Sequence, residues 1–191
     1  MRAVIGLVVL LMATLPGCGV KGPAPAAPAS STKTVATADP LIPKCKTEQL
    51  AARLGPRTDV GGGQNTMPLI YTNTSDQPCS IRGAPQVDLH GPADPNGPVY
   101  SLFHEVDTGR GLVLQPGSSA AARLVVQSDN GKLAGSKGSN NWIPTQLVTV
   151  PPANKASLTV PWPSDLPVLR QDGVDRPGSF VGGIKADSSN R

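Results

Sequence analysis

Apolar residues after position 40 fall in short alternating or β-branched segments, which Pro or Gly separates at intervals of roughly eight to twelve residues. Helical periodicity is scarce, and such short apolar segments are typical of β-strands. The pattern therefore predicts strands at 64–73, 79–90, 99–106, 111–115, 120–127, 142–150, 156–160 and 180–184. About eight or nine short strands with regular turn signals favour an all-β sandwich or barrel.

Three segments depart from this strand pattern. Residues 50–54 (LAARL) are too few for a stable helix, and Gly55-Pro56 ends them. Residues 83–85 (GAP) interrupt the apolar segment 79–90 and predict a bulge or bend. The polar stretch 128–141 predicts a long loop, and loops of that length are either functional or mobile.

The N-terminus has the layout of a secretory signal peptide. A short basic start, Met1-Arg2, precedes an uncharged apolar run from 3 to 15. This run is shorter than the roughly 20 residues that span a bilayer. The sequence Leu15-Pro16-Gly17-Cys18 resembles the lipobox of bacterial lipoproteins. The resemblance implies a signal peptide at 1–17 and a diacylglycerol on Cys18, and an ordinary signal peptide with an incidental cysteine stays open as the alternative.

The segment that follows Cys18 is rich in Pro, Ala, Ser and Thr and contains no aromatic residue. Such a composition buries too little apolar area to offset the entropy of ordering it. We therefore expect residues 18–40 to form a lipidated, disordered tether and residues 41–191 to form one domain on the extracytoplasmic face of the cell membrane.

Charge and cysteine content restrict the classes of partner and cofactor. The chain has 17 basic and 13 acidic residues without a long basic run, so the sequence gives no sign of nucleic-acid binding. With Cys18 assigned to lipid, Cys45 and Cys79 are an even pair in an exported protein, which favours a disulfide over two free buried thiols. His90 and His104 lie in no metal-binding pattern, and we expect no metal and no cofactor.

Few residues carry candidate chemistry. The run Gly61-Gly62-Gly63 lacks the lysine and helix of a phosphate-binding loop, and His104 and Glu105 point to opposite faces of a strand. No residue is therefore assigned a catalytic role. Trp162, between two prolines, is a candidate ligand or partner contact, with packing against a sheet edge as the alternative.

Several short motifs follow one another over residues 45–163: Cys45, Gly61-Gly62-Gly63-Gln64, Tyr71-Thr72-Asn73-Thr74-Ser75, Cys79-Ser80-Ile81-Arg82-Gly83-Ala84-Pro85, Leu114-Gln115-Pro116-Gly117-Ser118 and Trp142-Ile143-Pro144. In this order they resemble the family DUF4232, a domain of unknown function found in exported actinobacterial proteins, often lipoproteins. The resemblance implies an immunoglobulin-like β-sandwich and brings no catalytic residues. The residue between Gly83 and Pro85 departs from the commoner aromatic form.

These observations predict a non-enzymatic binding or interaction module of the cell envelope. The expected partners are the membrane, through the lipid anchor, and an envelope protein or a cell-wall polymer. The alternative is a carrier that holds a small apolar or lipid ligand in a cavity between the sheets.

Overall fold

A computed structural model describes residues 36–37, 42–137 and 142–187, and these residues belong to one compact unit. Apart from a short 3-10 helix at Thr47–Gln49, its regular elements are strands. They are β1 (Ala36–Thr37), β2 (Leu50–Leu54), β3 (Thr58–Gly61), β4 (Gln64–Asn73), β5 (Cys79–Ile81), β6 (Gln86–His90), β7 (Val99–Ser101), β8 (Phe103–His104), β9 (Leu112–Leu114), β10 (Ser119–Gln127), β11 (Gln146–Val150), β12 (Leu158–Pro161) and β13 (Phe180–Ala186).

The strands form a sandwich, as the sequence predicted. The larger sheet has the order β2-β4-β10-β13-β8, with β3 paired to one end of β4, and the opposing sheet has the order β12-β11-β6-β7. A small third sheet, β1-β9-β5, adjoins them. The pairs are antiparallel except for β8, which runs parallel to β13.

Two predicted strands are divided between different sheets. The segment 79–90 supplies β5 to the small sheet and β6 to the four-stranded sheet, and the change of sheet occurs at Gly83, whose φ is 114°. The segment 99–106 likewise supplies β7 to one sheet and β8 to the other. The expected bend is therefore a crossing between sheets. These two divisions, together with β1, β2 and β3, which the pattern did not predict, account for the additional strands.

The core lies between the large sheets and consists mainly of aliphatic side chains. Leu69 of β4, Leu124 of β10, Leu89 of β6 and Leu147 of β11 are fully buried there. Because each strand alternates its side chains between two faces, the residues between these positions point outward. The interior is thus built from the regular alternation that the sequence showed.

One buried polar pair links the two sheets across this core. The hydroxyl of Tyr71 on β4 lies 2.5 Å from Oγ1 of Thr149 on β11, and Oγ1 of Thr149 donates to the carbonyl of Gln86 at 2.9 Å. Since Thr149 uses its own proton there, the Tyr71 hydroxyl is the donor to Thr149. Burial raises the pKa of Tyr71 above its ordinary value, so the phenol stays neutral.

The predicted disulfide between Cys45 and Cys79 is confirmed. Its Cα atoms lie 4.7 Å apart, and it joins the segment before the 3-10 helix to the start of β5. Cys45 N–H also donates to the Ser80 carbonyl at 2.9 Å. The beginning of the domain is therefore fixed near the Asn73 end of β4, because the Asn73 side-chain amide donates to Leu114, the register partner of Cys79.

Candidate functional site

Four connecting segments meet at the opposite end of the sandwich, where β4 begins and β10 ends. We call this the loop end and define it by the described residues 59–63, 91–98, 128–137, 142–143 and 170–178. With ten residues in β4, about 30 Å separates the loop end from the Asn73 end. The loop end is thus remote from the point where the chain enters the domain.

Arg170 is the centre of the loop end, and its side chain is completely buried. Its guanidinium donates to the carbonyl oxygens of Asn96, Gly97 and Val99 at 2.9, 2.5 and 2.8 Å. The same group pairs with the carboxylate of Asp94 at 3.1 Å. A buried charge is tolerated only when it is paired and hydrogen-bonded, and this one meets that condition.

Two aromatic rings complete the environment of Arg170. Its guanidinium carbon lies 4.8 Å from the centre of the Trp142 ring and 5.5 Å from that of Tyr100. Such stacking is favourable for a guanidinium removed from water. Burial raises the pKa of the Tyr100 hydroxyl, so the ring stays neutral beside its neighbours.

Asp172 links Arg170 to the long polar loop. Its carboxylate accepts from Arg170 at 2.7 Å and from the hydroxyl of Ser136 at 2.9 Å. Burial opposes ionisation of Asp172, but these hydrogen bonds and the charge of Arg170 outweigh it, so the pKa of the carboxyl is lowered. The carboxylate therefore stays charged at neutral pH.

Further hydrogen bonds hold the described part of the polar loop, residues 128–137. Ser136 N–H donates to the Arg170 carbonyl at 2.7 Å, and the Gln171 amide donates to the Ala134 carbonyl at 3.2 Å. The Asn96 amide donates to the Lys137 carbonyl at 3.2 Å. Segments that are distant in sequence are thus joined into one frame around Arg170.

The glycine run belongs to the same end of the sandwich but has no phosphate-binding character. Gly62 has a φ of 65°, which L side chains rarely adopt, and it forms the turn between β3 and β4. Its carbonyl oxygen accepts from the amides of Gln127 and Asn130 at 3.1 and 2.5 Å. The run is therefore a tight turn that is hydrogen-bonded to the polar loop.

The loop end also exposes apolar side chains. Val60, Leu133, Ile143 and Val174 are between 40% and 56% exposed, and each lies on or beside one of the four loops. The remaining large exposed apolar residues, Val99, Phe103 and Val106, lie along 99–106. Apolar groups on loops that a rigid scaffold holds in place are typical of binding surfaces.

The structure places Trp162 in the core and not on the surface. It is 6% exposed, and its indole N–H donates to the Leu166 carbonyl at 2.9 Å. Trp162 therefore stabilises the packing beneath β12 and presents almost no surface to a partner. Cys18 lies outside the described residues.

Among residues 42–137 and 142–187, no three His, Cys, Asp or Glu side chains gather as metal ligands. In the same ranges no helix is long and apolar enough to cross a membrane. His104 is exposed on β8, while His90 lies on β6 of the other sheet.

Sequence reasoning missed Arg170, which it counted only among scattered basic residues. Its acceptors lie more than 70 positions earlier in the chain, so no local pattern reveals its burial. The acidic residue two positions later, Asp172, was the only sequence signal for an ion pair at this place.

A comparison with protein families finds one match, to the model described as a domain of unknown function (DUF4232), over residues 45–179. No curated protein matches the chain. No solved structure matches it either.

Proposed function

Since this chain belongs to the DUF4232 family, whose description states no function, we propose that it is a non-enzymatic binding domain of the cell envelope. In this proposal Cys18 carries the lipid anchor, residues 18–40 are the tether, and the loop end is the binding surface. The observation that carries the proposal is the Arg170 frame, which fixes several loops and leaves apolar side chains exposed on them.

A fixed frame favours binding because the loops need not be ordered when the partner arrives. Loops that are already ordered lose less conformational entropy on association than mobile ones do. Arg170 supplies this order through contacts that are buried and therefore shielded from competing water. The surface is thus prepared for recognition before any partner binds.

The surface chemistry favours a protein as the partner. The exposed charges of the loop end have both signs. Lys132, Lys137 and Arg176 are exposed there, and so are carboxylates such as Asp129 and Asp175. A surface with both signs of charge around apolar groups suits another protein better than a polyanionic polymer. An envelope protein is therefore the proposed partner, and a cell-wall polymer is an outcome that the experiment below distinguishes.

Attachment through Cys18 is compatible with this use of the loop end. The described chain joins the domain at β1, which pairs with β9, and at Cys45, whose disulfide lies at the end remote from the loops. A membrane tether there leaves the loop end accessible to partners. Replacement Cys18→Ala is expected to release the protein in soluble form, and unchanged membrane attachment would contradict the assignment of the anchor.

The binding proposal is tested by photo-crosslinking in intact cells. A photoreactive amino acid is placed at position 133 or 174 of the loop end, and at position 76 of the opposite end as the control. We expect positions 133 and 174 to give the same protein adduct, which position 76 does not give. The variants Leu133→Asp and Val174→Asp should each suppress the adduct formed from the other position.

Adducts of equal yield from all three positions would contradict a specific loop-end surface. Crosslinks to saccharide alone would show that the partner is a cell-wall polymer and not a protein. The carrier hypothesis stays a prediction. Native mass spectrometry of the purified chain tests it, because a bound lipid adds a discrete mass.

A further inference from the structure

A groove of about 340 Å³ lies on the outer face of the six-stranded sheet and shares no residue with the loop end. Its floor is formed by Ala121 of β10 and by Thr66 and Pro68 of β4. Pro56 and Thr58 line it from the side of β3. The volume is at the lower end of the range that small-molecule sites occupy.

The connection between β2 and β3 builds one wall of this groove. A Cβ atom added at Gly55 would lie 2.5 Å from Cγ of Pro68 and 3.1 Å from Cδ1 of Ile70. The backbone at Gly55 therefore packs directly against the outer face of β4 and covers Ile70, which is fully buried. Pro56 follows at once, so the wall that it forms is held in place by this close contact.

Two cationic side chains line the groove at β10 and β13. Lys185 is the register partner of Ala121, and Arg123 is two residues further along β10, beside an irregularity between Ala122 and Leu124. Diagonal neighbours on one face of a sheet are about 7–8 Å apart, within reach of one small ligand. The extra residue of this irregularity is on β13, where Gly182 and Gly183 lie opposite Arg123, and such bulges occur often beside binding sites.

The two cations differ in their contacts. Arg123 lies 5.1 Å from the centre of the Phe180 ring and 3.7 Å from the Glu105 carboxylate, an exposed and loose pair. Within the ranges that the structure describes, Lys185 forms no salt bridge. Its ammonium group is therefore available to an anion, with Arg123 beside it.

We infer that this groove binds a small amphiphilic monoanion, a single carboxylate on a short unbranched apolar chain. The Pro and Ala side chains supply apolar contact for the chain, and Lys185 and Arg123 supply charge-assisted hydrogen bonds to the carboxylate. Asp187 also lines the groove, so its lining suits one negative charge better than two. The ligand lies on the outer face of one sheet and not between the sheets.

This inference is independent of the proposed function, since no groove residue belongs to the loop end. The test is an NMR titration of the purified full chain with octanoate, read at the backbone amides. Saturable shifts are expected at Ala121 and Lys185, while the amide of Leu133 serves as an internal control that does not move. Octanol, which lacks the charge, and acetate, which lacks the chain, are expected to bind much more weakly.

Three variants locate the site. Lys185→Gln removes the exposed cation and is expected to weaken octanoate binding about tenfold, as loss of one charged hydrogen bond does. Ala121→Leu fills the floor without entering the core and should abolish the shifts. Lys132→Gln, an exposed lysine of the loop end, is the matched control and should leave the affinity unchanged.

Absence of saturable binding in the millimolar range would overturn the inference, as would equal affinity in Lys185→Gln and the unsubstituted chain. Equal affinity for octanol would overturn the assignment of an anion. Tighter binding of octyl phosphate than of octanoate would overturn the preference for a single charge.

Discussion

The guanidinium carbon of Arg170 lies 4.8 Å from the centre of the Trp142 ring, inside a domain whose other arginines are exposed or partly exposed in the described residues. Both side chains are buried at the loop end. Asp94 and Asp172 pair with Arg170, so the guanidinium has acidic partners as well as an aromatic ring beside it. The geometry makes the arginine a structural element of the fold, with consequences for stability.

Arg170→Met should destabilise the domain by about 3–5 kcal/mol, because it removes the buried donor to the carbonyl oxygens of Asn96, Gly97 and Val99 and its charge pairing with Asp94. Arg170→Lys should lose most of the same free energy, since an ammonium lacks the planar set of five donors. Urea unfolding followed by tryptophan fluorescence measures both. The control is Arg57→Met, which removes an exposed ion pair with Asp165 at 2.8 Å and should cost no more than about 1 kcal/mol.

Acidification should weaken the loop end through Asp172. The pKa of this carboxyl is lower in the folded protein than its ordinary value of 3.8. Its ionised form therefore contributes stability above that value, and the contribution is lost as the pH falls through the lowered folded-state pKa. Unfolding free energies measured from neutral pH to below pH 3.8 should fall less steeply in Asp172→Asn than in the unsubstituted chain. An equal effect of Asp175→Asn, an exposed neighbour, would contradict this assignment.

Removal of the disulfide should destabilise the domain without changing its fold. The double variant Cys45→Ala and Cys79→Ala opens a loop with a sequence separation of 34 residues, for which the chain-entropy model gives about 3.8 kcal/mol. We expect a loss of about 2–4 kcal/mol in urea unfolding. Circular dichroism should retain its β-sheet spectrum, and reduction of the unsubstituted chain should give a similar loss. A change below about 1 kcal/mol would show that the bond constrains the unfolded chain little.

Substitutions at the Tyr71–Thr149 pair should be asymmetric. Tyr71→Phe removes one donor, but Thr149 keeps its bond to Gln86, so the cost should be about 1 kcal/mol. Thr149→Val leaves the buried Tyr71 hydroxyl without an acceptor and should cost about 1–3 kcal/mol. The double variant should be less destabilised than the sum of the two. Equal costs for the two single variants would contradict the assigned direction of the hydrogen bond.

The strand pattern of the chain was predictable where one strand lies in one sheet. Residues 64–73 were predicted as a strand, and β4 has these bounds, because Met67, Leu69 and Tyr71 alternate along it on the face that is buried in the core. Residues 83–85 indicated a bend in 79–90 but not a passage to another sheet, because apolar residues occupy the odd-numbered positions on both sides of Gly83. Strand β2 was missed because LAARL carries residues that favour helix, whereas pairing with β4 determines its conformation.

The loop end was predictable only as a polar loop of uncertain role. Leu133 and Val174 are isolated apolar residues in the sequence, and nothing local brings them to one end. Their placement depends on Arg170, whose carbonyl acceptors lie in another part of the chain. Trp162 shows the opposite difficulty. Its flanking prolines left contact with a partner and packing against a sheet edge both open, and burial and the hydrogen bond to Leu166 place it in the core.

Three of the groups that Arg170 binds are main-chain oxygens, so Arg170 fixes the backbone of the loop end without specifying every side chain there. Its bonds to residues 96, 97 and 99 reach main-chain oxygens, which every amino acid supplies equally. The side chains at position 99 and at the tips near 133 and 174 can therefore change while the same framework persists. One arginine thus makes this end of the sandwich a template on which recognition can diversify without the fold being redesigned.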